Sequence, residues 1–255
     1  LATVQAALTI YVRYLKKLTR VPLLLFFSLF QPLVFLLLLG QTFKRVASLP
    51  GFPYHTYLAF FAPSVVMLTA LNSSFQSGMG TVDDLETGFM DKMLTAPIRR
   101  SAVFFAKVLS DGTRIMLQGL VVLGVSYLMG FRMHTGLPGV ILAVALAASF
   151  GVAWAGLSNI VALATRNSEI TMMLGILITF PVLFISNAMM PPLLLPSWLK
   201  HVSKYNPASY VIDALRGLAN TGYDWAVIGK AAGIIALLAI VTFSGAIRFF
   251  RKVAV

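Results

Sequence analysis

Residues able to do chemistry are few in this chain, and they are bunched. The 255 residues include 20 Lys+Arg, 8 Asp+Glu and 3 His. Ten of those 28 charges fall between Asp83 and Arg114: Asp83, Asp84, Glu86, Asp91, Lys92, Arg99, Arg100, Lys107, Asp111 and Arg114. A metal or catalytic centre would need its ligands at fixed spacings, and the spacings are missing. There is no H-E-x-x-H, no G-x-S-x-G and no G-x-x-x-x-G-K-[ST]. His55, His134 and His201 are scattered, and with no cysteine there is no thiolate ligand, Cys nucleophile or disulfide. No catalytic residue and no metal site are therefore assigned. The bunched segment carries a docking pattern instead. Within 88–97, Phe89, Met90, Met93 and Leu94 share one face of a two- or three-turn helix that follows Gly88 and ends at Pro97. Glu86 stands before it and Arg99 and Arg100 after it. An apolar face rich in Met suits a partner's groove; it also suits a helix lying on lipid.

The elements that must carry this segment are membrane helices. Apolar residues make up 58% of the chain and charged ones 11%, against about a quarter charged in soluble domains, and the mean hydropathy is +0.87. Disordered, fibrous and soluble nucleic-acid-binding classes are excluded. Crossing a bilayer takes about 20 mostly apolar residues per helix, and the uncharged runs hold six such spans, near 22–43, 57–79, 110–131, 138–164, 170–190 and 226–248. Helices satisfy their own backbone in lipid, and the continuous runs do not read as barrel strands. The expected fold class is all-α: a single polytopic transmembrane domain over 1–255, with no nucleic-acid partner and the bilayer as solvent.

Six spans leave both termini on one side. That side collects 13 of the 20 Lys+Arg and the other side 7, so both ends are expected in the cytoplasm. Residues 1–20 repeat apolar positions at three- and four-residue steps (Ala7, Ile10, Tyr11, Tyr14, Leu15, Leu18) between Arg13, Lys16, Lys17 and Arg20. This reads as an amphipathic interfacial helix or a positive flank of the first span, not as a cleavable signal. The segment 83–109 then forms the main cytoplasmic loop, and 165–169 a small second one.

Inside the spans, Pro32, Pro63 and Pro181 bend their helices. Span 2 adds Asn72, Ser73, Ser74, Phe75 and Gln76, and span 5 Phe180 and Phe184 with Asn187 at its end. Asn72, Phe75, Phe180, Phe184 and Asn187 are candidates for a substrate-facing wall; ordinary helix packing accounts for them equally well. Gly151 with Ala155, and Gly229 with Gly233, are spaced for close helix packing. On the outer side, 191–225 is rich in Pro, Trp and Tyr and reads as short helices dipping into the interface, with Trp198, Asn206, Pro207 and Tyr210 prominent. Asp213 and Arg216 at i,i+3 are expected to form a local ion pair.

Two stretches carry a resemblance. Asp84-Leu85-Glu86-Thr87-Gly88, continuing through Leu94-Thr95-Ala96-Pro97-Ile98-Arg99-Arg100 to Lys107, is similar to an E-x-G…L-x-x-P-[IV]-x-R loop. Ile185-Ser186-Asn187, Pro196-Ser197-Trp198-Leu199, Asn206-Pro207-Ala208-Ser209-Tyr210 and Ala214-Leu215-Arg216-Gly217 are similar to an S-G…L-P-x-W…N-P-x-x-Y…L-R signature. In the order of their elements they resemble the membrane subunits of type-2 ABC exporters, the group of the daunorubicin-resistance and nodulation-factor export permeases. Asn187 departs from the family's common Gly.

The resemblance implies a permease and not an enzyme. It implies a pair of such chains, two copies or two related permeases, each docked on a separate cytoplasmic ABC ATPase subunit in the cell (inner) membrane. ATP and Mg would be bound by that partner, with no cofactor in this chain. The 88–97 helix would be the coupling helix, with Glu86, Arg99 and Arg100 at its polar edge. ATPase closure would push it and rearrange spans 1, 2 and 5 around a cavity, and 191–225 would be a re-entrant lid. The cargo implied is an amphipathic small molecule, drug or lipid-like compound. Lipid-linked glycan export shares the architecture, and an ion-coupled secondary transporter or membrane enzyme is the reading from another class. No span carries a charge at its middle, which counts against both.

Overall fold

The computed structural model describes residues 2–20, 22–48, 52–89, 100–191, 193 and 195–253. Among these the structure is helical, with no strand. The chain runs through α1 (Ala2–Arg20), α2 (Pro22–Thr42), a 3-10 turn (Lys44–Ser48), α3 (Tyr57–Glu86), α4 (Arg100–Leu128), α5 (Gly136–Thr165), α6 (Ser168–Ile185), the short α7 (Ser197–Ser203), α8 (Pro207–Asn220) and α9 (Trp225–Val253). Helices α3, α5 and α6, with the stretches Ala106–Leu128 of α4 and Trp225–Arg248 of α9, are long and apolar enough to cross a membrane, and Phe26–Thr42 of α2 is a shorter apolar helix. The protein is a polytopic helical membrane protein.

Helix α3 is the centre of the bundle. Phe60, Phe61, Val65, Met67 and Leu71 are buried along it, and α2, α4, α5, α6 and α8 all pack on it. Thr56 opens it by accepting from the Ala59 amide at 3.1 Å, and Gly88, at φ 63°, stands just beyond its end, where a left-handed residue is favoured. Apolar side chains turned outward complete the pattern: Phe26, Phe30 and Leu38 on α2, Leu117 and Leu120 on α4, Leu177 on α6, Leu237 and Ile240 on α9 are exposed. Such a surface suits hydrocarbon and not water.

Small residues set the closest approaches. Ser74 Oγ donates to the Gly151 carbonyl at 2.6 Å, and a Cβ on Gly151 would fall 3.0 Å from the Ala70 carbonyl oxygen. Gly151 therefore packs as its spacing suggested. Gly229 and Gly233 do not, for open space surrounds both within this chain.

Helix α1 lies across the end of the bundle where α3 finishes. Its buried Ile10 faces inward, Tyr11 and Thr113 share a hydrogen bond of 3.0 Å, and Tyr14 donates to Asp84 Oδ2 at 2.7 Å. At the opposite end, Phe52, Tyr54, Tyr57 and Phe60 form an aromatic cluster with ring centroids 5.5–6.3 Å apart. Helices α7 and α8 fold back there, between α6 and α9.

Candidate functional site

A cavity of about 600 Å³ lies between α1, α2, α3, α4 and α6, a volume ordinary for a small-molecule site. One wall is apolar: Phe27 from α2, Phe75 and Met79 from α3, and Met172, Ile176 and Phe180 from α6. The other carries Ser28 and Gln31 from α2, Asn72, Gln76 and Ser77 from α3, and Lys107, Asp111 and Arg114 from α4. A body that is apolar on one flank and hydrogen-bonding on the other fits such a lining.

The polar wall is backed by a network that crosses four helices. Arg114 donates to the Ser73 carbonyl at 2.7 Å and stands 3.4 Å from Asp111. Asp111 also accepts from Ser77, and Ser77 Oγ accepts from Asn159 Nδ2 on α5 at 3.1 Å. Thr81 donates to Asn159. Ser73 donates to Gln118, whose amide nitrogen donates to Ser28 on α2 at 2.6 Å. Buried polar groups in an apolar bundle are stable only when paired in this manner. Two buried atoms at the cavity are left without a partner, Arg114 Nε and Thr179 Oγ1.

Three of the five residues expected on a substrate-facing wall line this cavity: Asn72, Phe75 and Phe180. Phe184 and Asn187 do not. Phe184 stacks on Phe180 at 5.5 Å and faces outward. Asn187 lies buried past the end of α6, donating from Nδ2 to Asp213 Oδ1 at 2.6 Å. Among the lining residues that sequence reasoning missed are Asp111 and Arg114. It grouped them with the loop charges, yet they belong to an apolar helix and face the cavity. Their signal was present: Lys107, Asp111, Arg114 and Gln118 recur at steps of four, three and four, one stripe of a helix.

Of the docking segment, Glu86 closes α3 and is exposed. The Arg13 guanidinium sits 3.2 Å over the Phe89 ring, within cation–π range, so α1 touches the segment's first apolar residue. Met90, Met93, Leu94, Pro97 and Arg99 lie outside the described residues, and Arg100 is the first residue of α4. Burial, and after it the charge of Asp84, push the Tyr14 hydroxyl above its ordinary range.

The segment after α6 is tied back by polar side chains. Asn206 caps two helices, accepting from the Ala208 amide at 2.9 Å and donating to the Val182 carbonyl at 2.6 Å; Pro207 occupies the first turn of α8. Tyr210 donates to the Lys204 carbonyl at 2.6 Å, and Trp198 is exposed. The expected ion pair of Asp213 with Arg216 is not a direct contact. Asp213 takes the Asn187 amide, whereas Arg216 reaches the Phe60, Asn187 and Ala188 carbonyls and Ser64 Oγ at 2.8–3.1 Å. Burial pulls its guanidinium down to about 10, so it remains charged at neutral pH.

Membrane helices around an amphipathic cavity suit the membrane-embedded part of a transport system. The chain belongs to the ABC-2 type transporter family, whose profile matches residues 5–219; it is thus the membrane subunit of an ABC transporter. It is 27% identical over 249 residues to the daunorubicin resistance ABC transporter permease protein DrrB1 of Streptomyces coeruleorubidus, covering 94% of this chain and 85% of that one. It is 28% identical over 232 residues to a chain of Cyanophora paradoxa named as transport permease ycf38, covering 84% and 74%. A chain of Mycobacterium tuberculosis (strain H37Rv) named for doxorubicin resistance, the ABC transporter permease protein DrrC, is 27% identical over 164 residues, 62% of this chain and 59% of that one.

Proposed function

We propose that this chain is one permease half of an ATP-driven exporter of amphipathic small molecules in the cell (inner) membrane, with both termini cytoplasmic. The observation that carries the reading is the cavity of about 600 Å³, apolar on its α6 flank and hydrogen-bonding on its α4 flank. Relatives named for daunorubicin and doxorubicin resistance agree with a cargo that is planar and apolar with polar edges. Two such chains pair, and each docks a cytoplasmic ABC ATPase subunit through 88–97, between Glu86 and Arg99 and Arg100. ATP and Mg bind to that partner, so phosphoryl transfer happens there. The contact of Arg13 with Phe89, and of Tyr14 with Asp84, gives the docked segment a path to α1 at the mouth of the cavity. The α7–α8 segment acts as a re-entrant lid on the outer side.

The test is co-purification and transport. The chain, co-expressed with its ATPase subunit and reconstituted in inside-out vesicles, is expected to drive ATP-dependent daunorubicin uptake, read by fluorescence quenching. Leu94→Asp is expected to abolish both the complex and the uptake, and Phe180→Asp the uptake alone. Uptake by the chain without ATPase or ATP, or a complex unaffected by Leu94→Asp, overturns the reading.

A further inference from the structure

Helix α3 has a gap in its own hydrogen bonding. Pro63 has no N–H, so the Ala59 carbonyl one turn before it has no partner within the helix. That carbonyl accepts from Asn220 Nδ2 of α8 at 3.1 Å. The next carbonyl, Phe60, accepts from Arg216 Nε at 3.1 Å, and Asn220 Nδ2 also donates to the Arg216 carbonyl at 3.0 Å, one turn back along α8. The Arg216 guanidinium lies 3.8 Å from the centroid of the Phe60 ring. Its terminal nitrogen donates to Ser64 Oγ at 2.8 Å and to the Asn187 and Ala188 carbonyls at 2.9 and 3.1 Å. One side chain thus joins the start of α3, helix α8 and the end of α6.

We propose that Pro63, Arg216 and Asn220 form a releasable latch that holds α8 against the first turns of α3 and the end of α6; its role as the lid's fastening rests on the exporter reading. When α8 lifts, the Ala59 carbonyl and the guanidinium both lose their protein partners, and regaining those hydrogen bonds favours return. A helix without the proline would keep that carbonyl satisfied whether or not α8 is docked. Pro63 therefore makes closure of α3 depend on α8. These are positioning residues; none touches cargo.

The sequence has no cysteine, so one reporter, Ala208→Cys on α8, fully buried while α8 is docked, is specific. The full chain in membrane vesicles is treated with a membrane-impermeant maleimide on the side that carries α8. Labelling is expected to be slow in the parent and about tenfold faster with Asn220→Ala. Pro63→Ala, normally a benign change in a helix, is expected to speed it to the same degree. The double variant is expected to label no faster than Pro63→Ala alone, because both act on one carbonyl. Arg216→Gln is expected to label fastest, and if it does not fold the other two variants still decide. Parent rates in Pro63→Ala and Asn220→Ala chains that elute as intact protein overturn the latch, as does a double variant whose effects multiply. Loss of the ATPase complex is scored separately by co-purification: labelling as expected in a chain that never binds an ATPase would sink the exporter reading and leave the latch standing.

Discussion

Arg114 and Arg216 are both held against α3, and their partners differ in kind. Arg114 meets a carboxylate, Asp111, at 3.4 Å and one carbonyl, Ser73, at 2.7 Å, on a face that opens to the cavity. Arg216 is 3% exposed, and its hydrogen bonds go to three backbone carbonyls and a hydroxyl from two other segments. A charge paired with a side chain beside a cavity can exchange partners with water or cargo. A charge held by carbonyls is released only when whole segments part. The cavity half of α3 is therefore built for rearrangement and the Pro63 half for closure.

Removing the two arginines in turn puts this contrast to its hardest test. Arg216→Leu takes a donor from the Asn187 and Ala188 carbonyls and from Ser64 Oγ in an apolar layer, where each lost partner costs about 1–3 kcal/mol; a total of about 3–5 kcal/mol is expected. Arg114→Leu leaves Asp111 to be rewetted from the cavity and is expected to cost about 1–2 kcal/mol. Thermal unfolding in detergent, followed by tryptophan fluorescence, ranks them. Equal costs, or the reverse order, would break the comparison.

A smaller effect separates the two faces within the cavity half itself. Gly78 backs onto α5, and a Cβ there would fall 2.7 Å from the Ser158 carbonyl oxygen, a backbone atom that cannot turn aside. Gly80, on the cavity side, has only Lys107 Nζ at 3.8 Å. Gly78→Ala is expected to cost about 1–3 kcal/mol by overpacking. Gly80→Ala is expected to gain about 0.5 kcal/mol from helix propensity. The same melting experiment sinks the idea of one tight and one open face if both alanines behave alike.

These contrasts were partly legible in the sequence. Composition and run lengths announced a helical membrane bundle, because lipid leaves the backbone little other choice, and they singled out α3 and α6 through Pro63, Asn72, Phe75 and Phe180. What they could not show was which partner each polar residue meets. Asp213 and Arg216 are neighbours on α8 and read as a pair, but Arg216 faces carbonyls 29 and 156 residues away in the chain. Spacing predicts a contact within a helix only where no better acceptor lies across from it, and the Phe60, Asn187 and Ala188 carbonyls supply those acceptors. Asn187 read as a cavity residue for the same reason: polarity near a span's end marks a need for a partner without naming it. Asp111 and Arg114 were hidden by their proximity to a charged loop, although their spacing already set them on one stripe with Gln118.

The smallest effect concerns a third pairing, outside both halves, that holds α1 to the end of α3. Tyr14 donates to Asp84 at 2.7 Å, and Asp84 is 3% exposed. Burial and the neighbouring carboxylate raise the Tyr14 hydroxyl above its ordinary value of 10.0. The folded chain thus keeps this proton where the unfolded chain releases it. Below about pH 10 both states are protonated and the full stabilisation is present; above it the unfolded state alone gains by ionising, and stability falls with rising pH. Tyr14→Phe gives up a hydrogen bond worth about 1–2 kcal/mol at neutral pH but has no proton to lose. Its unfolding midpoint is expected to lie below the parent's near pH 8 and to converge on it as the pH passes about 10. Curves that stay parallel would mean that Tyr14 ionises in the fold as freely as in water, and that α1 is held by packing alone and not by its bond to Asp84. Convergence would set this contact beside the Arg114 pair, as a bond a side chain can exchange, and apart from the carbonyl-held Arg216.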